Sequence, residues 1–280
     1  MTSSEPESSP APAVAEDSGS ARPGELPLLR LRAITKSFGP VQALEGVDLD
    51  VPAGLVTALV GDNGAGKSTL IKAIAGIYQP TSGEMWWQGT KATFHLPRDA
   101  DAAGIATVYQ DLALCDNLDI VQNMFLGHEQ RRLGLLDEND MERRTATTLA
   151  ELSVTTVKSV RQLVGSLSGG QRQSIAVAKA VMRDAKLVIM DEPTAALGVA
   201  QTAQVLELIR RLADRGIAVL VISHNLNDVF AVSDRIAVLR LGRMVAEGPV
   251  SDFDRQSTVQ LITTGVVSGD EDGEGSGEFA

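Results

Sequence analysis

A glycine-rich segment constrains the fold of this chain more than any other feature. The segment matches the pattern G-x-x-x-x-G-K-[ST] and reads Gly61-Asp62-Asn63-Gly64-Ala65-Gly66-Lys67-Ser68, with Thr69 next. It lies between an apolar run that predicts a buried strand, Leu55–Val60, and a helical pattern from about Lys67 to Gly76. Glycines let successive backbone N–H groups face one anion, and the helix that follows adds the positive end of its dipole. The sequence therefore predicts a phosphate-binding loop over residues 61–69.

The last polar residues of this loop predict its ligand. In loops of this kind the lysine, here Lys67, reaches the β- and γ-phosphates of a nucleoside triphosphate, and the hydroxyl, here Ser68, ligates Mg²⁺. All residues from Gly61 to Thr69 are therefore candidate nucleotide-binding residues. A chance glycine-rich turn is the alternative, and the strand and helix expected on either side argue against it.

An apolar run that ends in two acids provides the second constraint. Leu187–Met190 predicts a buried strand, and Asp191 and Glu192 follow it directly. In a parallel sheet, acids at the carboxyl end of a strand face the ligand crevice. Asp191 there suits Mg²⁺, through a water molecule, and Glu192 is placed to polarise an attacking water. A solvated acidic pair at a strand end is the alternative, and the Gly-Lys-Ser upstream favours the functional interpretation.

A second glycine motif is the most specific feature of the sequence. The motif reads Leu167-Ser168-Gly169-Gly170-Gln171. A helical pattern follows from Gln171 to Met182, and small residues at a helix N-terminus form a second anion site. One chain has little use for two such sites on a single triphosphate, whereas two chains arranged head to tail would use both. A flexible Ser-Gly loop is the alternative, and it does not account for the full motif at this distance before the acidic pair.

Short β-rich runs alternate with helical patterns along the chain, which is typical of an α/β fold with a mainly parallel sheet. We predict a P-loop NTPase (RecA-like) core of this kind, an antiparallel β subdomain, and a helical subdomain at about residues 111–168. A hairpin is expected at Glu84–Phe94, with Gly89 and Thr90 near its turn. The other expected strands are Leu29–Ile34, Val47–Val51, Ile105–Tyr109, Ala218–Ile222 and Arg235–Leu239.

Charge and composition divide the 280 residues into a body and two tails. The ends, residues 1–27 and 266–280, carry nine of the eleven net negative charges. We expect tails 1–27 and 265–280 to be disordered and residues 28–264 to fold together. The nearly neutral body argues against a nucleic-acid partner, which would require a basic surface. The single cysteine fits a reducing cytosol, and neither a signal peptide nor a membrane-spanning run is expected.

With these motifs in order, the chain resembles the nucleotide-binding subunit of an ABC transporter across about residues 28–264. The resemblance implies ATP as the nucleotide and assigns further residues by position. Gln110, after the strand that ends at Tyr109, matches the glutamine that contacts Mg²⁺ and water and borders the permease. His224 matches the histidine at the γ-phosphate. Phe38 matches the aromatic residue that stacks on adenine, and a core phenylalanine is the alternative for that position.

One position departs from the family pattern. After Glu192-Pro193-Thr194 the family usually carries Ser-Ala-Leu-Asp, and this chain has Ala195-Ala196-Leu197-Gly198. Gly198 cannot make the carboxylate contact that the family uses across its dimer interface, although the ATP site stays complete. This four-residue sequence resembles the one that the ATPases of monosaccharide importers carry. Three other stretches resemble those importers: Asp62-Asn63, Gln110-Asp111-Leu112 and Asn123-Met124-Phe125-Leu126-Gly127.

The resemblance implies an ATPase that binds Mg-ATP, pairs with a second cassette and drives integral-membrane permease subunits. The second cassette is expected to be an identical chain, and a substrate-binding protein is an indirect partner. The expected location is cytoplasmic, peripheral on the inner face of the cell membrane. The alternatives are an exporter or other-substrate ABC ATPase, and a soluble ABC ATPase in DNA repair or translation. A third alternative, a non-hydrolysing cassette, is disfavoured by the intact Lys67, Asp191, Glu192 and His224.

Overall fold

The computed structural model describes residues 26–266. The predicted disordered tails lie outside the described residues, except for 26, 27, 265 and 266. Within residues 26–266 no helix combines the length and the apolar character needed to cross a bilayer.

The strands are, in chain order, β1 (Leu29–Phe38), β2 (Val41–Val51), β3 (Val56–Val60), β4 (Ser82–Trp87), β5 (Thr90–Ala92), β6 (Ile105–Val108), β7 (Arg131–Arg132), β8 (Leu135–Leu136), β9 (Leu187–Asp191), β10 (Ala218–Ile222), β11 (Arg235–Arg240) and β12 (Arg243–Pro249). The helices are α1 (Lys67–Ile74), α2 (Pro97–Ala103), α3 (Ile120–Phe125), α4 (Glu138–Glu151), α5 (Gly169–Met182), α6 (Val199–Asp214), α7 (Leu226–Val232) and α8 (Arg255–Thr263).

A six-stranded sheet forms the centre of the molecule, in the order β12-β11-β3-β10-β9-β6. All neighbouring pairs are parallel except β11 with β12. Strands β3 and β10 are buried along their full length because helices cover both faces of a parallel sheet. Their continuous apolar runs follow from that burial, and the predicted mainly parallel sheet is confirmed.

A second, antiparallel sheet has the order β2-β1-β4-β5. Its inward side chains share one apolar cluster with helix α1 and with one face of the central sheet. The predicted hairpin is present as β4 and β5. Strand β1 is longer than the expected Leu29–Ile34, since its ladder with β2 continues past two irregular positions to Phe38. The sequence analysis did not predict helix α2 or the edge strand β12.

The segment between β6 and α5 is less regular than predicted. It contains α3, α4 and the small hairpin β7–β8, but residues 152–163 form neither helix nor strand. That stretch is rich in β-branched residues and serine, which favour helices weakly. Its apolar side chains still pack on the helical core, as Val154, Val157 and Val160 do.

The buried side chain of Asn123 organises the loop that precedes α3. Its Oδ1 accepts a hydrogen bond from the backbone N–H of Cys115 (2.8 Å). Its Nδ2 donates to the carbonyls of Cys115 (2.9 Å), Leu118 (3.2 Å) and Asp119 (3.0 Å). Asn123 has no exposed surface, so these bonds satisfy groups that water does not reach. The side-chain amide of Asn123 therefore fixes the conformation of the loop that follows Gln110.

Helix α6 begins after Gly198, which serves as its N-cap residue. Gly198 has an ordinary extended backbone (φ −74°, ψ 162°), and its N–H donates to Oε1 of Gln201 at 3.4 Å. A Cβ at this position would meet no atom within 4 Å. Neither the backbone nor the packing therefore requires glycine here.

The first prediction concerns Asn123. Replacing Asn123 with alanine removes the partners of one buried N–H and several carbonyls, so the free energy of unfolding should fall by about 3 kcal/mol. Denaturant unfolding of the two proteins measures the difference. Asn139→Ala, at an exposed position of α4, is the matched control and should change little. Equal effects from the two variants would contradict the role given to Asn123.

The second prediction concerns Gly198. Because aspartate caps a helix better than glycine and favours the helix dipole, Gly198→Asp should raise the free energy of unfolding by about 0.3 kcal/mol. Gly216 is the matched control: it follows the same helix at its other end and also has open space around it, but its φ is +84°. Gly216→Asp should cost about 1 kcal/mol. Destabilisation by Gly198→Asp in the same unfolding assay would contradict the conclusion that neither backbone nor packing requires glycine at this position.

Candidate active site

The phosphate-binding loop, the two acids, His224 and Gln110 lie at one edge of the central sheet. Strands β3, β10, β9 and β6 are parallel neighbours, so their carboxyl ends lie side by side. The phosphate-binding loop follows β3, Asp191 ends β9 with Glu192 directly after it, and His224 follows β10. One residue, Tyr109, separates Gln110 from the end of β6. This arrangement is the crevice that parallel α/β sheets offer to ligands.

The glycine-rich loop is compact because two of its glycines approach other backbone atoms closely. A Cβ on Gly61 would overlap the carbonyl oxygen of Leu239, and a Cβ on Gly66 would lie 2.7 Å from the carbonyl oxygen of Ala43. Gly66 also has φ 107°, a conformation that side chains rarely adopt. Helix α1 starts at the next residue, so its N-terminal N–H groups are directed at this loop.

Lys67 is the buried cation of the site. Its Nζ donates to the carbonyls of Gly61 (2.7 Å) and Asp62 (3.0 Å), which leaves one of its three N–H donors for a ligand. Burial lowers the pKa of Lys67, and the carboxylates of Glu192 and Asp191 oppose that effect. The ammonium therefore lies within the field of both acids that the sequence analysis selected.

An open groove of about 470 Å³ lies over the loop. All loop residues from Asp62 to Thr69 line it. The rest of its lining comes from the start of β2, Val41 to Ala43, and from the turn Leu241-Gly242 between β11 and β12.

Phe38 is beside this groove but does not line it. It pairs with Val41 across the β1–β2 turn, and 42% of its surface is exposed. Its ring packs edge-on against Tyr78, with centroids 5.1 Å apart, and Lys36 places its ammonium 5.0 Å from the ring centre. The alternative of a core phenylalanine does not fit this exposure. Stacking on adenine stays a prediction.

Asp191 is a half-buried carboxylate for which the described chain provides no hydrogen bond or ion pair. Burial raises the pKa of Asp191, and the negative charge of Glu192 raises it further, while Lys67 and Lys72 lower it. A carboxylate in this state is stabilised by an added cation. An acid and the Ser68 hydroxyl of the phosphate loop are a donor set that suits Mg²⁺, which prefers oxygen ligands.

Glu192 and His224 are in direct contact. His224 Nδ1 lies 2.8 Å from Glu192 Oε1. The histidine side chain is 71% exposed, and that of the glutamate is 18% exposed. Glu192 has φ 50°, which is rare for a residue with a side chain, and its N–H is held by the carbonyl of Ile222 at 2.9 Å. Strain of this kind is concentrated at functional sites.

Gln110 lies at the same edge but is exposed, in the turn after β6. Its neighbour Tyr109, which was not predicted as a site residue, is half-buried. Burial raises the pKa of Tyr109, a hydrogen bond to Thr107 lowers it, and the charge of Asp191 raises it. The register of β6 with β9 pairs Val108 with Met190, which places Tyr109 beside Asp191. An aromatic residue at the end of a predicted buried strand was the available signal.

The second glycine motif is placed away from the groove. Ser168 caps helix α5: its Oγ accepts from the N–H of Gln171, and Gln171 Oε1 accepts from the N–H of Ser168 at 2.9 Å. Helix α5 thus starts at Gly169, two residues before the predicted start at Gln171. No residue of this motif lines the groove over the described phosphate loop. The motif therefore does not meet the loop of its own chain.

The turn Leu241-Gly242, which was not predicted as part of the site, also belongs to it. The N–H of Gly242 donates to the carbonyl of Ala65 (2.9 Å), and its carbonyl accepts from the N–H of Glu45 (2.8 Å). The turn thus ties the phosphate loop to β2. A Leu-Gly pair directly after an apolar strand was a turn signal.

Several relatives of the chain have names that state a function. The fructose import ATP-binding protein of Rhizobium meliloti is 45% identical over 244 residues, 85% of this chain and 94% of that protein. The xylose/arabinose import ATP-binding protein of Sulfolobus acidocaldarius is 43% identical over 237 residues, with the same two coverages. The ribose import ATP-binding protein of Yersinia pestis is 44% identical over 85% of this chain, which spans only 46% of that longer protein.

Solved structures share the fold. An ATP-binding cassette of an ABC transporter in its ADP conformation has a TM-score of 0.72 and 26% identity, covering 86% of this chain and 96% of that chain. A nucleotide-free cassette of an ABC transporter has a TM-score of 0.69 and 28% identity, with coverages of 79% and 91%. A dimeric cassette bound to ADP and Pi has a TM-score of 0.67 and 25% identity, with coverages of 79% and 98%.

These findings confirm the predicted P-loop NTPase fold and the predicted ATPase coupled to transport. A family profile described as ABC transporter matches residues 44–195, the part of the chain that includes the phosphate loop, the second glycine motif and the acidic pair. The chain belongs to the ABC transporter family.

Proposed function

We propose that this protein is the ATP-hydrolysing subunit of a monosaccharide importer. The observation that carries the proposal is the assembly of Lys67, Asp191, Glu192 and His224 at one sheet edge beside a phosphate loop. The relatives named for fructose, xylose/arabinose and ribose import support the substrate class. The Ala-Ala-Leu-Gly sequence at 195–198 agrees with it.

ATP is expected to lie with its phosphates on residues 61–69 and its base towards Phe38. Ser68, Asp191 and Gln110 would hold Mg²⁺ there. When bound, Mg²⁺ supplies positive charge that offsets the charge developing on the phosphates during transfer. The unpaired, half-buried carboxylate of Asp191 supports this assignment.

The catalytic roles follow from chemistry and position. Glu192 orients a water molecule for attack on the γ-phosphate and accepts its proton. His224, in contact with Glu192, holds that carboxylate and donates to the γ-phosphate. Lys67 stabilises the negative charge on the transferring group. Phosphoryl transfer needs little more than this positioning and charge stabilisation.

The second glycine motif, residues 167–171, is proposed to act on the ATP of a second copy. Ser168 and Gly169 are exposed, and the motif is separate from the groove of its own chain. In a head-to-tail pair, Ser168, Gly169, Gly170 and Gln171 would cap the nucleotide held by the partner. Closure of the pair is expected to move permease subunits that dock near residues 111–130. A substrate-binding protein would deliver the sugar to the permease, and the ATPase would lie in the cytoplasm against the membrane.

The main test is Glu192→Gln. The substitution keeps the shape of the side chain but removes its negative charge, so ATP affinity should be retained while turnover falls by about a hundredfold or more. ATP should also drive the variant into a stable pair, because hydrolysis no longer reopens it. Steady-state ATPase rates, fluorescent-nucleotide binding and light scattering measure the three quantities.

Lys67→Ala is the contrasting variant for the same assays. It should lose nucleotide affinity as well as turnover, since the phosphates lose their buried cation. Hydrolysis by Glu192→Gln at the wild-type rate would remove Glu192 from its role. Wild-type affinity in Lys67→Ala would contradict the placement of ATP on the loop.

A second experiment tests the transport assignment. Tagged full-length protein should co-purify with integral-membrane subunits from its own cells. After reconstitution in vesicles, a monosaccharide-loaded binding protein should raise the ATPase rate, and Glu192→Gln should keep the subunits but lose the stimulation. Recovery of ribosomes or DNA without membrane subunits would contradict transport, and stimulation only by other substrates would contradict sugar import.

A further inference from the structure

The two glycines of the second glycine motif pack closely against the segment that follows the acidic pair in the same chain. A Cβ on Gly169 would lie 2.8 Å from Cδ2 of Leu197. A Cβ on Gly170, which is buried, would lie 3.1 Å from Cβ and 3.3 Å from Cγ of Gln201. A side chain at either position would therefore crowd Leu197 or Gln201 of the same chain, before any nucleotide is considered.

Gln201 connects the motif to the start of α6. Its Cβ and Cγ rest on Gly170, while its Oε1 accepts the N–H of Gly198, the N-cap residue of α6. The side chain therefore fixes the helix N-terminus and the motif relative to each other. A Cβ placed on Gly198 itself would contact no atom within 4 Å, so residue 198 does not contribute to the contact between α6 and the motif.

The segment between Glu192 and α6 is short and held at its beginning. The N–H of Glu192 donates to the carbonyl of Ile222, and Thr194 Oγ1 donates to Asp228 Oδ2 at 2.7 Å. Glu192 and Ala196 both have left-handed backbones, with φ 50° and 60°. A segment held in this way connects Glu192 to Leu197 and Gln201 through few freely rotating bonds.

We propose that Leu197 and Gln201 are positioning residues that set the place of the second glycine motif, and through it the ATP site of the partner copy. The proposal rests on the proposed function, because the motif has a ligand only in a head-to-tail pair. It deepens that function by giving each chain a mechanical link from its own Glu192 to the motif used on the other nucleotide. In this chain Gly198 provides no carboxylate at the interface. The packing of the Leu197 and Gln201 side chains on the motif makes the link instead.

The expected size of the effect follows from the tolerance of catalytic geometry. A displacement of about 1 Å at a phosphate contact costs up to about a hundredfold in rate. Loss of the Gln201 side chain leaves a gap beside Gly170 and removes the acceptor of the Gly198 N–H. The ATP-binding loop of the same chain is untouched, because neither Leu197 nor Gln201 lines its groove.

The experiment compares four full-length variants: Gln201→Ala, Leu197→Ala, Gln201→Glu and Gln204→Ala. Gln201→Glu keeps the carbon atoms that touch Gly170 and an acceptor at the third helical position, where glutamate and glutamine serve equally. Gln204→Ala removes the same type of side chain from an exposed position of the same helix. Each variant is measured for nucleotide affinity as a separate chain, for ATP-driven pairing with Glu192→Gln added, and for steady-state ATPase rate.

We expect Gln201→Ala and Leu197→Ala to bind nucleotide as the wild type does but to pair less readily and to turn over about tenfold more slowly. Gln201→Glu and Gln204→Ala should retain wild-type pairing and rate. A general loss of structure would lower nucleotide affinity too, so the separation of affinity from pairing identifies a positioning role.

Wild-type turnover in both alanine variants would overturn the inference, and so would an equal loss of nucleotide affinity and rate. Failure of Gln201→Glu to restore the rate would overturn the part assigned to Gln201. These outcomes leave the proposed function standing as long as the wild-type protein hydrolyses ATP and pairs. A wild-type protein that hydrolyses ATP without pairing would instead refute the head-to-tail arrangement.

Discussion

The buried ammonium of Lys67 is the charge on which the rest of the site depends. It faces two carboxylates, Asp191 and Glu192, at an edge of the sheet where burial already disfavours charge. A triphosphate adds several negative charges to this balance, and one lysine cannot offset them. The N-terminus of α1, Mg²⁺, His224 and a second helix N-terminus are the sources of positive potential that the family architecture can add. Only the last of these would come from a second copy, so the proposed head-to-tail pairing would complete this balance of charge.

The sequence predicted the parts of the fold that local rules determine. Continuous apolar runs identified the central strands, because strands buried on both faces need no polar residue. The phosphate loop and the acids after β9 could be assigned because their chemistry requires specific residues at specific spacings. Edge strand β12 and helix α2 were missed, since their residues are half exposed and carry no strong period. The order of strands in the sheet was likewise not available from any single segment.

Some site residues could not be predicted from the sequence, because they reach the site only through contacts between distant segments. Tyr109 lies beside Asp191 only because β6 pairs with β9, and the turn Leu241-Gly242 closes the groove only because β11 pairs with β3. Asn123 appeared in the sequence as one part of a family resemblance. In the structure it holds the loop that follows Gln110, so its type is fixed by buried backbone groups as well as by any partner.

The glycines of the second motif are subject to two separate steric requirements. Approach of a backbone to phosphate requires glycine, and a Cβ added to the same backbone would also crowd the side chains of Leu197 and Gln201. A substitution at Gly170 therefore disturbs both and cannot separate them, whereas a change at Gln201 disturbs only the packing. The strained backbone of Glu192 stands at the other end of the same segment. Under the proposed pairing, a contact between Glu192 and His224 that changes with the state of the nucleotide would be linked, through fewer than ten residues of chain, to the motif proposed to act on the second nucleotide.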